Sequence, residues 1–393
     1  MKNLSKDKHI IFICENDLTQ PIGGTIHVKE LLAALVKFHS NITLIAPDYH
    51  REKISVNSGI NTIFIKTINM RILKWLLFYF TSTLTILRLI LKHKKVVIYS
   101  REMANNVLLP VICKMLNIPL FIEVNGAFLA EMESLGKPKI LITITKISQK
   151  IIYTFSVKII TVADELSNYI NKTYRIPFLK LTTIYNGINY SKSKEISPVS
   201  FESVFDKKGL IIGFVGSCYP YHDIALLINI ASDLIEYNQD LYFVVAGDGE
   251  ELPKWKEQAK KQNVSEHFYF PGYIKQEIVK NYIASFDICI ALYKKNVPGP
   301  GMKILEYSLY NKPVVASFSN DAFKLFGKLE NIIWTRPEDT ADIKQKLTFA
   351  IDNLSKFKTA NSREFLINNY TWDHTARNIL DTIEKTLALK QPF

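Results

Sequence analysis

Short apolar runs without polar alternation recur along the chain, separated by stretches of helical period. In the first half these runs are HIIFIC (9–14), ITLIAP (42–47), NTIFI (61–65), VVIYS (96–100), PLFIEV (119–124) and VKIITV (157–162). Their β-branched and aromatic content reads as strands buried on both faces, which is the signature of parallel sheets. HVKELLAALVKF (27–38) and ANNVLLPVICKML (104–116) read as helices between them. The pattern restarts with LIIGFVGS (210–217), LYFVVAGD (241–248), HFYFPGY (267–273), DICIALY (287–293) and PVVAS (313–317). IALLINIASDLIEY (224–237) and ELPKWKEQAKKQ (251–262) are the intervening helices. Alternation of this kind predicts two α/β domains with right-handed crossovers.

The polar stretch 189–208 separates the two series, so the expected division is 1–205, 206–370 and a last helical segment 371–393 that packs back on the first domain. Two such sheets facing each other place a ligand crevice at the carboxyl ends of their strands. At 393 residues, 48% hydrophobic and 22% charged, the composition is that of an ordinary globular protein. The four cysteines lie far apart with no CxxC pair, which predicts structural thiols in a reducing compartment. The opening apolar run is too short for a signal peptide.

The net charge of +12 changes the picture because of where it sits. No acidic residue falls between Glu52 and Glu102, nor between Lys137 and Ala163, and both spans carry several Lys or Arg among Ile, Leu and Phe. A nucleic-acid loop is richer in Gly, Asn and Ser, so the expected partner is an anionic membrane surface and not nucleic acid. MRILKWLLFYFTSTLTILRLILKHKK (70–95) has an uncharged stretch only from Trp75 to Leu87. That is shorter than the roughly 20 apolar residues of a spanning helix, so it reads as peripheral.

Three loops carry candidate chemistry. ENDLTQPIGGTIHVKEL (15–31) leads from a strand into a helix, and Gly23 and Gly24 there let backbone approach an anion at the helix start. His27 faces a ligand or caps the helix; its position alone does not choose. FVGSCYPYHDIALL (214–227) repeats the geometry with Gly216, Ser217 and His222. VPGPGMKILEYSLYNKPVVAS (297–317) opens a helix near Met302, after Gly301, and three-residue spacing puts Lys303 and Glu306 on one face. A cation there suits a diphosphate and a carboxylate suits a ribose diol; an ordinary surface ion pair fits the spacing as well.

GPGMKILEYSLYNKPVVAS resembles the nucleotide-binding signature of the retaining GT-B glycosyltransferases, family 4 in particular. IGGTIHVKELLAAL, TIYNGIN, LIIGFVGS, LYFVVAGDGEEL, FYFPGYIKQEIVKNYIASFDICIALY and YTWDHTA follow that family's order. The resemblance implies a GT-B fold and sugar transfer from a nucleotide diphosphate sugar, with retention and without a metal or other cofactor. By it Glu306 holds the donor ribose, Gly24 and Gly216 border the diphosphate, and Lys303 supplies positive charge. Tyr273 and Ile274 lie beside the base. Gly23, Ser217, His222, Gly301, Met302 and Ile304 complete the donor side. Asn125 is the sugar-side contact and, with Lys303 and Glu306, the catalytic set; His27, Glu123 and Glu131 are acceptor-side candidates.

This chain departs from the pattern in four places, the first being Asn125, where the family often carries a His near the donor sugar. Pro298 stands where the family usually has a first glutamate, and Ser217 and His222 replace its usual Arg and Lys. The expected acceptor is a glycan, lipid-linked, in bacterial surface-polysaccharide assembly (capsule or lipopolysaccharide), with the enzyme on the cytoplasmic face of the cell membrane. A nucleotide-sugar epimerase of the same fold and a non-catalytic binding protein are the alternatives.

Overall fold

The apolar runs pair in parallel into two sheets, and helices packed on the first sheet bury both of its faces. The computed structural model describes residues 7–389 apart from 21, 50–58, 68–69, 189, 191–195, 207, 296–300 and 358–360. Pro298 and part of the expected linker lie outside the described residues. In the first unit β1 (His9–Ile13), β2 (Ile42–Asp48), β3 (Asn61–Lys66), β4 (Val96–Arg101), β5 (Leu120–Val124), β6 (Lys158–Thr161) and β7 (Leu181–Thr183) form one parallel sheet. Its order is β3-β2-β1-β4-β5-β6-β7. In the second unit β8 (Leu210–Val215), β9 (Leu241–Ala246), β10 (Phe268–Gly272), β11 (Ile288–Ala291), β12 (Val314–Ser317) and β13 (Ile332–Thr335) pair in parallel in the order β10-β9-β8-β11-β12-β13. The strands β7 and β13 are absent from the sequence reading. LTT has a single strongly apolar residue.

The first unit runs to Gly187 and resumes at Trp372; the second is Ile188–Thr371. The division therefore falls earlier than the expected 205. Ile188 already bridges Thr371 in parallel, and the Ser197 N–H donates to Asn281 Oδ1 at 3.2 Å. Phe201 packs against the rings of Tyr269, Tyr282 and Phe286. These contacts commit the end of the polar stretch to the second unit.

Helix Trp372–Ala388 joins the first unit by covering helix Gly23–Phe38. Ala376, Ile379, Leu380 and Ile383 recur at helical spacing and share one core with Val28, Leu31, Leu32 and Leu35. Lys37 pairs with Asp373 at 2.8 Å and Lys8 with Glu384 at 2.9 Å at the rim.

The opposite face of this sheet carries helices Arg71–Lys92, Leu108–Met115 and Lys139–Phe155. Helix Lys139–Phe155 is inverted over its first turns, where Thr145, Ser148 and Gln149 are buried and Ile140, Leu141, Ile144 and Ile147 exposed, and Ile152 and Tyr153 return to the core. Helix Arg71–Lys92 likewise buries Ser82 and Thr83 and exposes Leu73, Leu76, Phe80 and Leu84. Over Leu73–Lys92 it is long and apolar enough to cross a membrane by length and composition, with mean hydropathy 1.3. Phe78, Tyr79 and Ile86, however, are buried in the core beneath the sheet, so the helix lies along the sheet as a crossover.

Candidate active site

In both units the chain leaves two neighbouring central strands toward opposite faces of the sheet. That point lies between β1 and β4 in the first sheet and between β8 and β11 in the second. Ligand crevices of open α/β sheets form at such points, beyond the carboxyl ends of the strands.

In the second unit the end of β8 is built around Gly216. The Lys303 ammonium donates to the Val215 carbonyl at 2.8 Å and stands 4.8 Å from the centre of the Phe214 ring. A side chain on Gly216, whose φ is +154°, would begin 1.7 Å from Lys303 Nζ, so only glycine admits the lysine here. Loss of hydration lowers the Lys303 pKa, and the nearby Glu306 carboxylate opposes that shift. Tyr307 supports the same strand end: its hydroxyl accepts from the Val215 N–H at 3.0 Å. Glu306 is exposed, one turn beyond Lys303 on helix Met302–Ser308. Thus Gly216, Lys303 and Glu306 come together, with Ser217 exposed beside them.

Two expected donor contacts face inward instead. Ile304 is 1% exposed, because its position on the helix points into the core, and its N–H is taken by the Gly301 carbonyl. His222 is 5% exposed, its ring packed against Phe214, Tyr221 and Tyr293. Burial and the Lys303 charge hold its pKa well below the ordinary histidine value, so it is neutral and adds no charge for a phosphate. Tyr273 is exposed and Ile274 half-buried in the turn after β10, two strands out from Gly216. Gly301, with φ +67°, precedes the half-buried Met302.

Sequence reading passed over Gly247 and Gly249, although AGDGEE is a visible turn signal. A side chain on Gly247 (φ +146°) would begin 1.8 Å from the Gly216 carbonyl oxygen, and one on Gly249 (φ +152°) 2.5 Å from the Cys218 carbonyl oxygen. The loops after β8 and β9 therefore run backbone on backbone. Gly247→Ala is expected to cost the second unit about 1–3 kcal/mol in denaturant unfolding, through strain and collision. Wild-type stability in that variant refutes the close approach.

In the first unit the expected residues converge on Glu123, in β5. His27 Nε2 lies 2.5 Å from Glu123 Oε1, the Asn125 amide donates to Oε1 at 2.6 Å, and the Tyr99 hydroxyl donates to Oε2 at 2.5 Å. Burial alone raises this carboxyl, but the His27 charge and contact, Arg101 and Tyr99 reverse the shift and hold it at about 2. His27 neither caps its helix nor stands open: it is 7% exposed, edge-on to Trp372 at 5.0 Å. Glu131 is exposed on the next helix, its Oε1 3.0 Å from where a side chain on Gly126 would begin. Gly23 and Gly24 are the first two residues of helix Gly23–Phe38.

Arg101 is the main residue missed here. Its guanidinium donates to the Gly24 carbonyl at 2.5 Å and lies 3.2 Å from where a side chain on Gly24 would begin. The signal for it is its place as the last residue of β4, at the switch point. Glu15 and Glu102 were also missed. The Tyr79 hydroxyl donates to Glu15 at 2.7 Å, and Gln149 Nε2 and the Tyr153 hydroxyl donate to Glu102, Gln149 at 2.8 Å.

Loss of hydration pushes the Glu15 and Glu102 carboxyls from 4.5 up to about 7. Between those values the folded state keeps protons that the unfolded state has released, so stability falls as pH rises through the window. Glu15→Gln and Glu102→Gln are expected to flatten that fall in Tm against pH; an unchanged slope in both places its origin elsewhere. Glu123 has the opposite sign: its contribution is present above 4.5 and lost as pH falls toward about 2.

Residues 196–383 match the family model described as glycosyl transferases group 1, and residues 22–192 that of glycosyltransferase family 4. An uncharacterised glycosyltransferase of Methanocaldococcus jannaschii is 23% identical over 250 residues, 60% of this chain and 61% of that protein's length. Anabaena HepE, solved with UDP, aligns with a TM-score of 0.73 at 15% identity over 96% of this chain and 100% of its own. It has also been solved with UDP-glucose. Sucrose-phosphate synthase of Thermosynechococcus elongatus aligns with a TM-score of 0.76 at 14% identity, over 98% of this chain and 100% of its own. These likenesses show the fold, the two Rossmann-like domains of GT-B glycosyltransferases.

Proposed function

Because the chain belongs to the glycosyl transferases group 1 family, we propose that it moves a sugar from a nucleotide diphosphate sugar to a glycan hydroxyl, with retention. The observation that carries this reading is the Lys303 ammonium resting on Gly216 at the switch point of the second sheet. As the bond between the anomeric carbon and the phosphate oxygen breaks, negative charge grows on the diphosphate. A cation fixed beforehand at that place stabilises the charge without reorganising, and no metal is required for this role. The exposed Glu306 accepts hydrogen bonds from the donor ribose. That HepE binds UDP and UDP-glucose supports a nucleotide sugar as donor. Thermal unfolding with a panel of nucleotide sugars tests the reading, since a ligand bound to the native state raises Tm. A panel in which none raises Tm refutes it.

A non-catalytic binding protein is the second reading, favoured by the neutral, buried His222 and by Ser217 where charges are usual. Slow hydrolysis of the stabilising nucleotide sugar decides for the enzyme; binding without any turnover decides against it.

The acceptor in this proposal is lipid-linked, within surface-polysaccharide assembly, and the enzyme docks on the anionic cytoplasmic leaflet. Support comes from the two helices that each expose a row of apolar residues and that carry no acid. Exposed apolar faces of this extent mark interaction surfaces, and each Lys or Arg near an anionic bilayer adds about 1 kcal/mol. Flotation with anionic liposomes is expected for the wild type and to weaken when Lys74, Arg88, Lys92 and Lys146 become Gln. Binding that ignores both lipid charge and these substitutions removes the electrostatic part of the proposal.

A further inference from the structure

The outward-facing helices and the glutamates at the mouth of the first sheet are joined through two tyrosines. On helix Arg71–Lys92, Leu76 and Phe80 face outward while Tyr79, in the same turn, faces inward and holds Glu15 Oε2 at 2.7 Å. On helix Lys139–Phe155, Ile144 and Ile147 face outward while Gln149 and Tyr153 face inward and hold Glu102 Oε1. Tyr174 braces this second contact, its hydroxyl donating to Gln149 Oε1 at 2.5 Å. Glu15 follows β1 and Glu102 follows β4, the two neighbouring strands of the switch point. Each glutamate at the crevice is thus gripped by a helix that presents apolar side chains on its other face.

Resting on the reading of those helices as a lipid-docking face, we propose that Tyr79 and Tyr153 are positioning residues that couple seating on an anionic bilayer to Glu15 and Glu102. The physical basis is the stiffness of a helix. Side chains on opposite faces of one turn move together, and a shift of about 1–2 Å, ordinary for a helix against its neighbours, makes or breaks a hydrogen bond whose useful range spans about 0.5 Å. Seating the outer face fixes the helix, and the tyrosine then fixes its glutamate and the loop that bears it. The occupant is an anionic lipid surface because neither helix carries an acidic residue while both carry lysines.

Hydrogen exchange of the full chain, alone and with vesicles of phosphatidylglycerol and phosphatidylcholine, tests the coupling. In the wild type, vesicles are expected to slow exchange over Leu73–Lys92 and Lys139–Phe155, and severalfold in the strand-end loops 15–20 and 102–107. Tyr79→Phe keeps the packing and is expected to lose the effect in 15–20 alone; Tyr153→Phe is expected to weaken it in 102–107 alone, Gln149 keeping its own bond to Glu102. Protected helices with loops that ignore the vesicles in the wild type overturn the coupling and leave docking standing. Loops that respond in both variants as in the wild type overturn the role of the tyrosines. Helices that gain no protection overturn the docking reading, and the coupling falls with it.

Discussion

Lys303→Ala is expected to lower turnover of the donor that stabilises the protein by about two to three orders of magnitude, the scale for losing one preorganised charge-stabilising donor. No other expected donor-side cation is available in the second unit: His222 is neutral and packed inward, and Ser217 is uncharged. The fold is expected to tolerate the change, since the Tyr307 hydroxyl also reaches the Val215 carbonyl, at 3.3 Å. Lys303→Arg keeps the charge but must fit a larger, planar head over Gly216, where Nζ already crowds the Cα. Its turnover is expected to fall between those of alanine and wild type. Steady-state kinetics checks the order. If alanine and arginine both turn over like the wild type, Lys303 is a strut for the end of β8 and nothing more.

Glu306→Ala is expected to weaken donor binding by roughly 1.5–3 kcal/mol, the scale for a hydrogen bond to a charged group. In Kd that is about 10- to 150-fold, and isothermal titration reads it directly. Because Glu306 is exposed, the variant is expected to unfold at the wild-type temperature, which separates a lost contact from a damaged fold. The titration also separates Glu306 from Lys303. The first acts on a ribose present in both donor and free nucleotide; the second acts on charge that grows as the bond breaks. Nucleotide affinity unchanged in Glu306→Ala excludes the residue from the site.

The sequence by itself determined the class of fold and most of its strands, because burial on both faces writes itself locally as unbroken β-branched and aromatic runs. It also marked Lys303 and Glu306, whose spacing on one helix face is a local property, and the acid-free basic spans on the first domain. Tertiary structure alone decided how those marks combine. Lys303 meets Gly216, and His27 meets Glu123, across separations that no periodicity reports. The inward turn of His222 follows from three aromatic neighbours, two of them outside its own loop. Arg101 was legible as a cation, but its contact with Gly24 depends on β4 lying beside β1, a pairing between strands far apart in the chain. The two inverted helices make the same point. Their composition predicts an apolar segment, yet which face is buried depends on the polar groups that the sheet and its loops offer, and Tyr79, Gln149 and Tyr153 face inward where Glu15 and Glu102 accept their hydrogen bonds. Local order is encoded in neighbouring residues; a site is assembled from distant ones, and only packing brings those together.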